Sequence, residues 1–344
     1  MLHGGEIYDK EIKYDYSVNL NPLPCPESVI SAMNDAIKLA HQYPDINQTF
    51  FRQEVARAEG NGIKASNVIG GNGASELMAA VVRLVNPRKV LLAVPCFLGY
   101  RHALNMLDNC IIQTYLLSEE KGFALNEAFI DEISEDIDLV ILANPNNPTG
   151  RRIEDTLLTR IAFRCKETGS ALMVDECFLS LSSGGESMNR LIGQLPGLFV
   201  IKAYTKLFSL PGIRIGYCIA DEKDIDALHR FLPEWNMSVV AQMAGVACAK
   251  EVTDRHFVKT SVKEIERMRK ELTEGLSNKG ILFFPSDTNF ILLKSQEPLY
   301  DKCLRSAVLI RDCSNFEGLG MGYYRIAVKD SKPIMSVFSV KDRI

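Results

Sequence analysis

The chain has no cysteine pair in CxxC spacing and no HExxH or HxH motif. No apolar run approaches the roughly 20 residues that a membrane helix needs. Its nine cysteines, at 25, 96, 110, 165, 177, 218, 248, 303 and 313, are odd in number and irregularly spaced. That pattern is neither a disulfide framework nor a zinc site, and no metal is expected. It reads as a chain of the reducing cytoplasm. Positive charge is not in excess either: Lys plus Arg total 39 against 43 for Asp plus Glu, a formal net charge of −4. This balance argues against nonspecific nucleic-acid binding and against docking on anionic membranes. There is no low-complexity tract and no internal repeat. The opening segment, MLHGGEIYDKEIKYDY, is polar and does not read as a signal peptide.

What is present is an ordinary globular composition, with 344 residues that suffice for about two domains. Residues 1–26 read as an N-terminal arm, because Gly4, Gly5, Asn19, Asn21, Pro22, Pro24 and Pro26 break regular elements. Helical spacing follows at 27–40 and 49–58. Four apolar runs then alternate with helical segments: VLLAVPCF (90–97), LVILANP (139–145), ALMVDECF (171–178) and GLFVIKAYTK (197–206). The helical segments are 75–86, 99–107 and 154–167. This alternation predicts an α/β fold whose large domain, 27–240, has a mostly parallel sheet covered by helices. Residues 241–344 read as a smaller α+β C-terminal domain. It has one long charged helix at 252–279 and strands at 290–294, 308–312 and 324–328, and SKPIMSVF near the end is a poor helix pattern. Ligands bind at the carboxyl ends of strands in parallel sheets, so the polar residues after each apolar run are the candidate functional ones.

Four motifs stand at such positions. GGNGASE (70–76) places glycines before a helix start, the form of a phosphate cradle, or of a plain glycine turn capped by Ser75. It lacks the GK[ST] of a nucleotide P-loop. NPNNPTG (144–150) forbids helix and fixes an extended turn after a strand. Asp175, in VDECF, is costly to bury unless it caps a helix or meets a cation such as a heterocyclic N–H⁺. Lys206 also follows an apolar strand, where an amine can become a nucleophile, and Arg214 stands eight residues on. Together they offer a phosphate cradle, an amide donor, an acid for a pyridinium nitrogen and an amine for an aldehyde. Those are the requirements of pyridoxal 5′-phosphate (PLP).

In order and spacing, these motifs resemble the fold-type I PLP enzymes of the aminotransferase class I/II group. The resemblance implies a PLP-dependent transferase-like fold, and roles for matching residues. Lys206 would bind the cofactor covalently and carry protons, and Asp175 would pair with the ring nitrogen. Asn147 would donate to the phenolic oxygen, and Phe97 would stack on the ring. Ala74, Ser75, Thr205 and Arg214 would hold the phosphate. Tyr43, in TyrProAsp, resembles a tyrosine that reaches the phosphate of a neighbouring subunit, which implies a homodimer. Arg325 resembles the arginine that clamps a substrate α-carboxylate. Two positions depart from the pattern: Phe178 stands where many relatives have tyrosine, and Ala203 replaces a hydroxyl residue.

HisGlyGly at 3–5, SVNLNP at 17–22, WNMS at 235–238 and RDCSNFEGLG at 311–320 resemble the threonine-phosphate decarboxylases of cobalamin synthesis. Histidinol-phosphate aminotransferases are the nearest alternative. The first likeness implies a lyase acting on L-threonine O-3-phosphate or a close analogue. The second implies transfer of an amino group to 2-oxoglutarate. His3, Asn21, Arg311 and Arg325 are the expected substrate-binding residues. Either way the expected partner is a small amino acid phosphate, with neither nucleic acid nor membrane involved.

Overall fold

The computed structural model describes residues 4–338. Along the chain, a short strand β1 (Tyr14–Asp15) precedes helices α1 (Glu27–Ile37) and α2 (Thr49–Glu59). There follow β2 (Val68–Asn72), α3 (Ala74–Val85), β3 (Lys89–Val94), α4 (Leu98–Leu104), β4 (Ile111–Leu116), β5 (Leu139–Ala143) and α5 (Asp155–Thr168). Then come β6 (Ala171–Asp175), β7 (Leu198–Ala203), α6 (Tyr204–Leu207), β8 (Ile215–Ile219), α7 (Glu222–Leu228), α8 (Val239–Asp254) and α9 (His256–Asn278). The chain ends its described part with β9 (Leu282–Phe283), β10 (Phe290–Lys294), α10 (Leu299–Arg305), β11 (Val308–Leu309), β12 (Arg311–Asp312), β13 (Tyr323–Ala327) and α11 (Lys332–Val337).

Seven strands form one sheet in the order β2-β8-β7-β6-β5-β3-β4. All neighbours in it are parallel except β8, which runs antiparallel to both β2 and β7. Every residue of β5 and β7 is buried, as a strand covered on both faces requires. This is the fold-type I α/β architecture expected. A second, antiparallel sheet has the order β12-β13-β10-β9, and β1 of the arm pairs in parallel with β11. The arm is thereby tied to the C-terminal part of the chain. Among the described residues no helix is long and apolar enough to cross a membrane.

Three local expectations are corrected. The charged segment at 252–279 is not one helix: α8 stops at Asp254, Arg255 takes a left-handed φ of 62°, and α9 begins at His256. Segment 308–312 is not one strand, since Val308–Leu309 pairs with the arm and Arg311–Asp312 pairs with β13. Ile310 carries the switch between the two sheets. The SKPIMSVF segment does form a helix, α11, with Pro333 in its first turn where a missing N–H costs nothing.

Candidate active site

The carboxyl edge of the large sheet opens into a cavity of about 1000 Å³, its mouth included. Because β8 is antiparallel, its amino end lies at this same edge, which brings Arg214 beside the residues that follow the parallel strands. Gly73, between β2 and α3, has φ 79° and ψ 168°, a conformation essentially restricted to glycine. A Cβ there would lie 2.3 Å from Arg214 Nη2, so the guanidinium packs directly on the backbone. Helix α3 has no side chain capping its N-terminus, which leaves first-turn N–H donors and the positive dipole end at Ala74 and Ser75. Ser75 is therefore not the cap. Arg214 Nη1 and Nη2 donate to Pro211 O (3.2 Å) and Asn72 O (3.4 Å). Buried Thr205 also lines this end of the cavity.

Asp175 ends β6 and is buried. Its Oδ2 accepts from the Tyr100 hydroxyl at 2.7 Å and its Oδ1 from the Cys177 N–H at 3.0 Å. No helix is capped by it. Lys206 sits on α6, directly after β7, with Nζ 5.9 Å from the Phe178 ring centroid. Burial pulls its pKa down; Arg325 and Arg214 push the same way, against Cys177 and Asp175. Removal from water thus favours the neutral, nucleophilic amine. Phe97 lines the cavity and meets Tyr100 edge-on, with centroids 5.6 Å apart. Phe178 is buried edge-to-face on Phe290, and Ala203 is a second buried residue of the cavity wall.

Asn147 Oδ1 accepts from Arg325 Nη1 at 2.5 Å, so its amide N–H₂ is the end left for the cavity. Arg325 is buried in β13, and its Nη2 donates to Ser17 O at 2.7 Å. Burial pulls its pKa down to about 10. Arg311, also buried, is its register partner across the sheet. It lies over the Phe316 ring at 5.1 Å and donates to Asn315 Oδ1 at 2.9 Å and to Asp312 O. Burial lowers its pKa too.

The structure therefore brings Ala74, Ser75, Phe97, Asn147, Asp175, Thr205, Lys206, Arg214, Arg311 and Arg325 around one cavity. Three expected residues stand apart. His3 lies outside the described residues, although Gly4, next to it, lines the cavity. Tyr43 is 81% exposed and packs on Trp235 at 4.9 Å, away from its own chain's cavity. Asn21 does not face the cavity: its Nδ2 donates to Leu207 O (2.7 Å) and Ser261 Oγ (2.8 Å), and its Oδ1 accepts from Leu23 N–H (3.1 Å). With both ends engaged, it braces the segment after Lys206 rather than a substrate. Its neighbour Asn19 lines the cavity instead, with a buried Oδ1 that has no partner among the described residues. Tyr100 and Asn19 are the residues that sequence reasoning missed. Tyr100 stands one helical turn after Phe97, a spacing that signals a shared face.

These donors fit PLP. The cradle supplies N–H groups and a guanidinium for a phosphate, and the cavity presents an amine, a carboxylate and an amide. Two atoms of residues lining the cavity, the buried Asn19 Oδ1 and Arg325 Nε, have no hydrogen-bond partner among the described residues, as fits a site for a polar ligand. The family model described as "Aminotransferase class I and II" matches residues 11–333. The threonine-phosphate decarboxylase of Salmonella typhimurium is 29% identical over 322 residues, covering 92% of this chain and 87% of that protein. The histidinol-phosphate aminotransferase of Methanocaldococcus jannaschii is 26% identical over 335 residues, covering 95% and 87%. The crystal structure of the histidinol-phosphate aminotransferase from Clostridium acetobutylicum matches with a TM-score of 0.85 at 29% identity, over 94% of this chain and 98% of that one. With the fold, the cavity and these likenesses in agreement, the chain belongs to the aminotransferase class I and II family of PLP-dependent enzymes.

Proposed function

We propose that this enzyme decarboxylates L-threonine O-3-phosphate or a close analogue. The observation that carries the reading is the pairing of Arg311 and Arg325. They are buried register partners on adjacent strands, and both line the cavity that holds Lys206. Two buried guanidinium groups side by side call for a small substrate with two anionic groups. An amino acid bearing a phosphate has an α-carboxylate and a phosphate. The likeness to the Salmonella decarboxylase supports the same choice.

In this reading PLP, when bound, supplies the electron sink for cleavage at the substrate Cα. Lys206 holds the cofactor covalently and then carries a proton at Nζ. Asp175 pairs with the ring nitrogen, Asn147 donates to the phenolic oxygen, and Phe97 covers one ring face. Ala74, Ser75, Thr205 and Arg214 hold the cofactor phosphate. Arg325 clamps the α-carboxylate, and Arg311 holds the distal phosphate together with His3 of the arm. The exposed Tyr43 is suited to a neighbouring subunit's phosphate, so the reading includes a homodimer.

A class I/II aminotransferase of histidinol-phosphate type is the alternative, favoured by the Clostridium structure match. The same arginine pair would then take the two carboxylates of glutamate. Purified holoenzyme incubated with O-phosphothreonine or histidinol phosphate, with and without 2-oxoglutarate, separates the two. Release of CO₂ from O-phosphothreonine without a keto-acid acceptor is the expected result. Turnover that depends strictly on 2-oxoglutarate and yields glutamate would overturn it.

A further inference from the structure

The RDCSNFEGLG segment, 311–320, does more than supply Arg311. After β12 the chain turns twice: Phe316 N–H donates to Cys313 O (3.0 Å) and Leu319 N–H to Phe316 O (3.1 Å). The loop so formed crosses from the antiparallel sheet to the edge of the large one. Glu317 pairs with Arg101 of α4. Gly318 has φ 81°, and a Cβ there would lie 2.7 Å from Leu116 Cδ1 and 3.5 Å from Pro95 Cδ. Its bare backbone thus rests on the last residue of β4 and the first residue after β3. Next to these anchors, Phe316 is only 3% exposed and lines the same cavity as Arg311 and Arg325. The Arg311 guanidinium carbon lies over its ring, 5.1 Å from the centroid. Asp312 O and Asn315 Oδ1 accept from the two terminal nitrogens of that guanidinium. One flat face and two acceptors, all from residues 312–316, therefore surround it. Arg325 lies over a different ring, Phe290, at 5.5 Å.

We propose that Phe316 is a positioning residue that determines specificity: its ring is the platform that fixes the plane of the Arg311 guanidinium, so that the fork meets the distal phosphate of the substrate. The inference rests on the reading that Arg311 holds that phosphate. A guanidinium donates only in its own plane, so two-point recognition of a phosphate needs that plane fixed beforehand. Of its five N–H groups, the bonds to Asp312 and Asn315 use two, which leaves three for a ligand. The negative face of an aromatic ring attracts a cation most where water is excluded, and both partners here are almost wholly buried. Because Arg325 has its own ring in Phe290, a change at Phe316 leaves the platform of the second arginine in place. Phe316 therefore bears on the phosphate end of the substrate and not on its α-carboxylate.

The test titrates the holoenzyme with O-phosphothreonine and, separately, with threonine. Dissociation constants are read from the initial change in cofactor absorbance, before turnover. The proteins compared are wild type, Phe316→Leu, Arg311→Ala, the Phe316→Leu/Arg311→Ala double variant, and a protein carrying pentafluorophenylalanine at position 316. Phe316→Leu keeps an apolar side chain and removes the flat ring. It should weaken O-phosphothreonine by about three- to thirtyfold, the scale of a desolvated cation–π contact, while threonine stays within about twofold of wild type. The pentafluoro ring keeps nearly the same size and shape but reverses the charge of the ring face. It should cause the same selective loss, and it serves as the second probe should Phe316→Leu fold poorly. In the Arg311→Ala background Phe316→Leu should add nothing, because the group it acts through is gone. Arg311→Ala itself should abolish the preference for the phosphorylated ligand. If it does, then no loss in either ring variant, an equal loss for both ligands, or an undiminished effect in the Arg311→Ala background overturns the inference and leaves the phosphate reading intact. If Arg311→Ala keeps the wild-type preference, the phosphate reading falls and the inference falls with it.

Discussion

Replacing Gly73 with alanine separates two effects that the cradle combines. The first is backbone strain. At φ 79° and ψ 168° an alanine is held in a region of order 1–3 kcal/mol above its ordinary wells. That strain lowers the stability of the protein with and without PLP alike. The second effect is steric. The new methyl would stand 2.3 Å from Arg214 Nη2 and 2.8 Å from Cζ. The guanidinium is the far end of a flexible side chain, so it gives way cheaply, but in doing so it leaves the cradle. Losing one charge-assisted bond costs about 1.5–3 kcal/mol, hence roughly ten- to hundredfold in PLP affinity. PLP affinity is read by titrating the cofactor absorbance, and the strain by thermal melts of apo and holo protein. In an Arg214→Ala background, Gly73→Ala should change stability but not affinity. If Gly73→Ala lowers the melting temperature yet binds PLP as wild type does, Arg214 does not depend on the bare glycine backbone, and this account of the cradle fails.

Lys206→Ala should keep PLP through its phosphate while losing the covalent link. Borohydride-reduced wild type should carry the label on the peptide containing Lys206, and a label on another lysine would refute the assignment. Lys202→Met should destabilise the protein by about 3–5 kcal/mol, the scale for breaking a buried pair. Lys202 Nζ lies 2.7 Å from Glu59 Oε2 and 3.8 Å from Glu176 Oε2, and the partners are almost wholly buried. Adding Glu59→Gln should recover part of the loss in a denaturant melt, because one orphaned charge is then removed.

The parts of the fold legible in the sequence are those written in long apolar runs. Strands β3, β5, β6 and β7 are covered on both faces, so each reads as a largely hydrophobic stretch, broken in β7 only by Lys202. Because ligands bind at the carboxyl ends of such strands, Phe97, Asn147, Asp175 and Lys206, which line the cavity, were legible with them. Strands β2, β4 and β8 were not. β2 is VIGGN, where two glycines mask the strand, and β4 is an edge strand with mixed exposure. β8 is five residues long and antiparallel, a direction that periodicity does not encode. The break between α8 and α9 falls at Arg255, a left-handed residue with no glycine to announce it. Asn19 and Asn21 share an extended segment and look alike. Only their distant partners differ: Leu207 and Ser261 claim Asn21, and nothing among the described residues claims the oxygen of Asn19.

The same contrast explains why the cofactor site resembles both decarboxylases and aminotransferases. On the proposed reading, every residue that touches its own chain's PLP stands on or beside the large sheet, and its geometry serves either reaction. The reaction is decided by which bond at the substrate Cα lies perpendicular to the cofactor ring, since only those electrons merge with its π system. On that reading the angle depends on where the α-carboxylate is held, and so on the direction in which Arg325 points. Arg325 takes its direction from two acceptors in different parts of the chain, Ser17 O in the arm and Asn147 Oδ1 after β5. Ser17 is fixed in turn, because Asp15 Oδ1 accepts from both its N–H and its hydroxyl, and its Oγ accepts from Gly5 N–H. The arm, paired through β1 to β11, thus sets the orientation of the arginine as well as covering the site. On the proposed reading, reaction choice then rests in part on a hydrogen bond to a backbone carbonyl, Ser17 O, which no side-chain motif records.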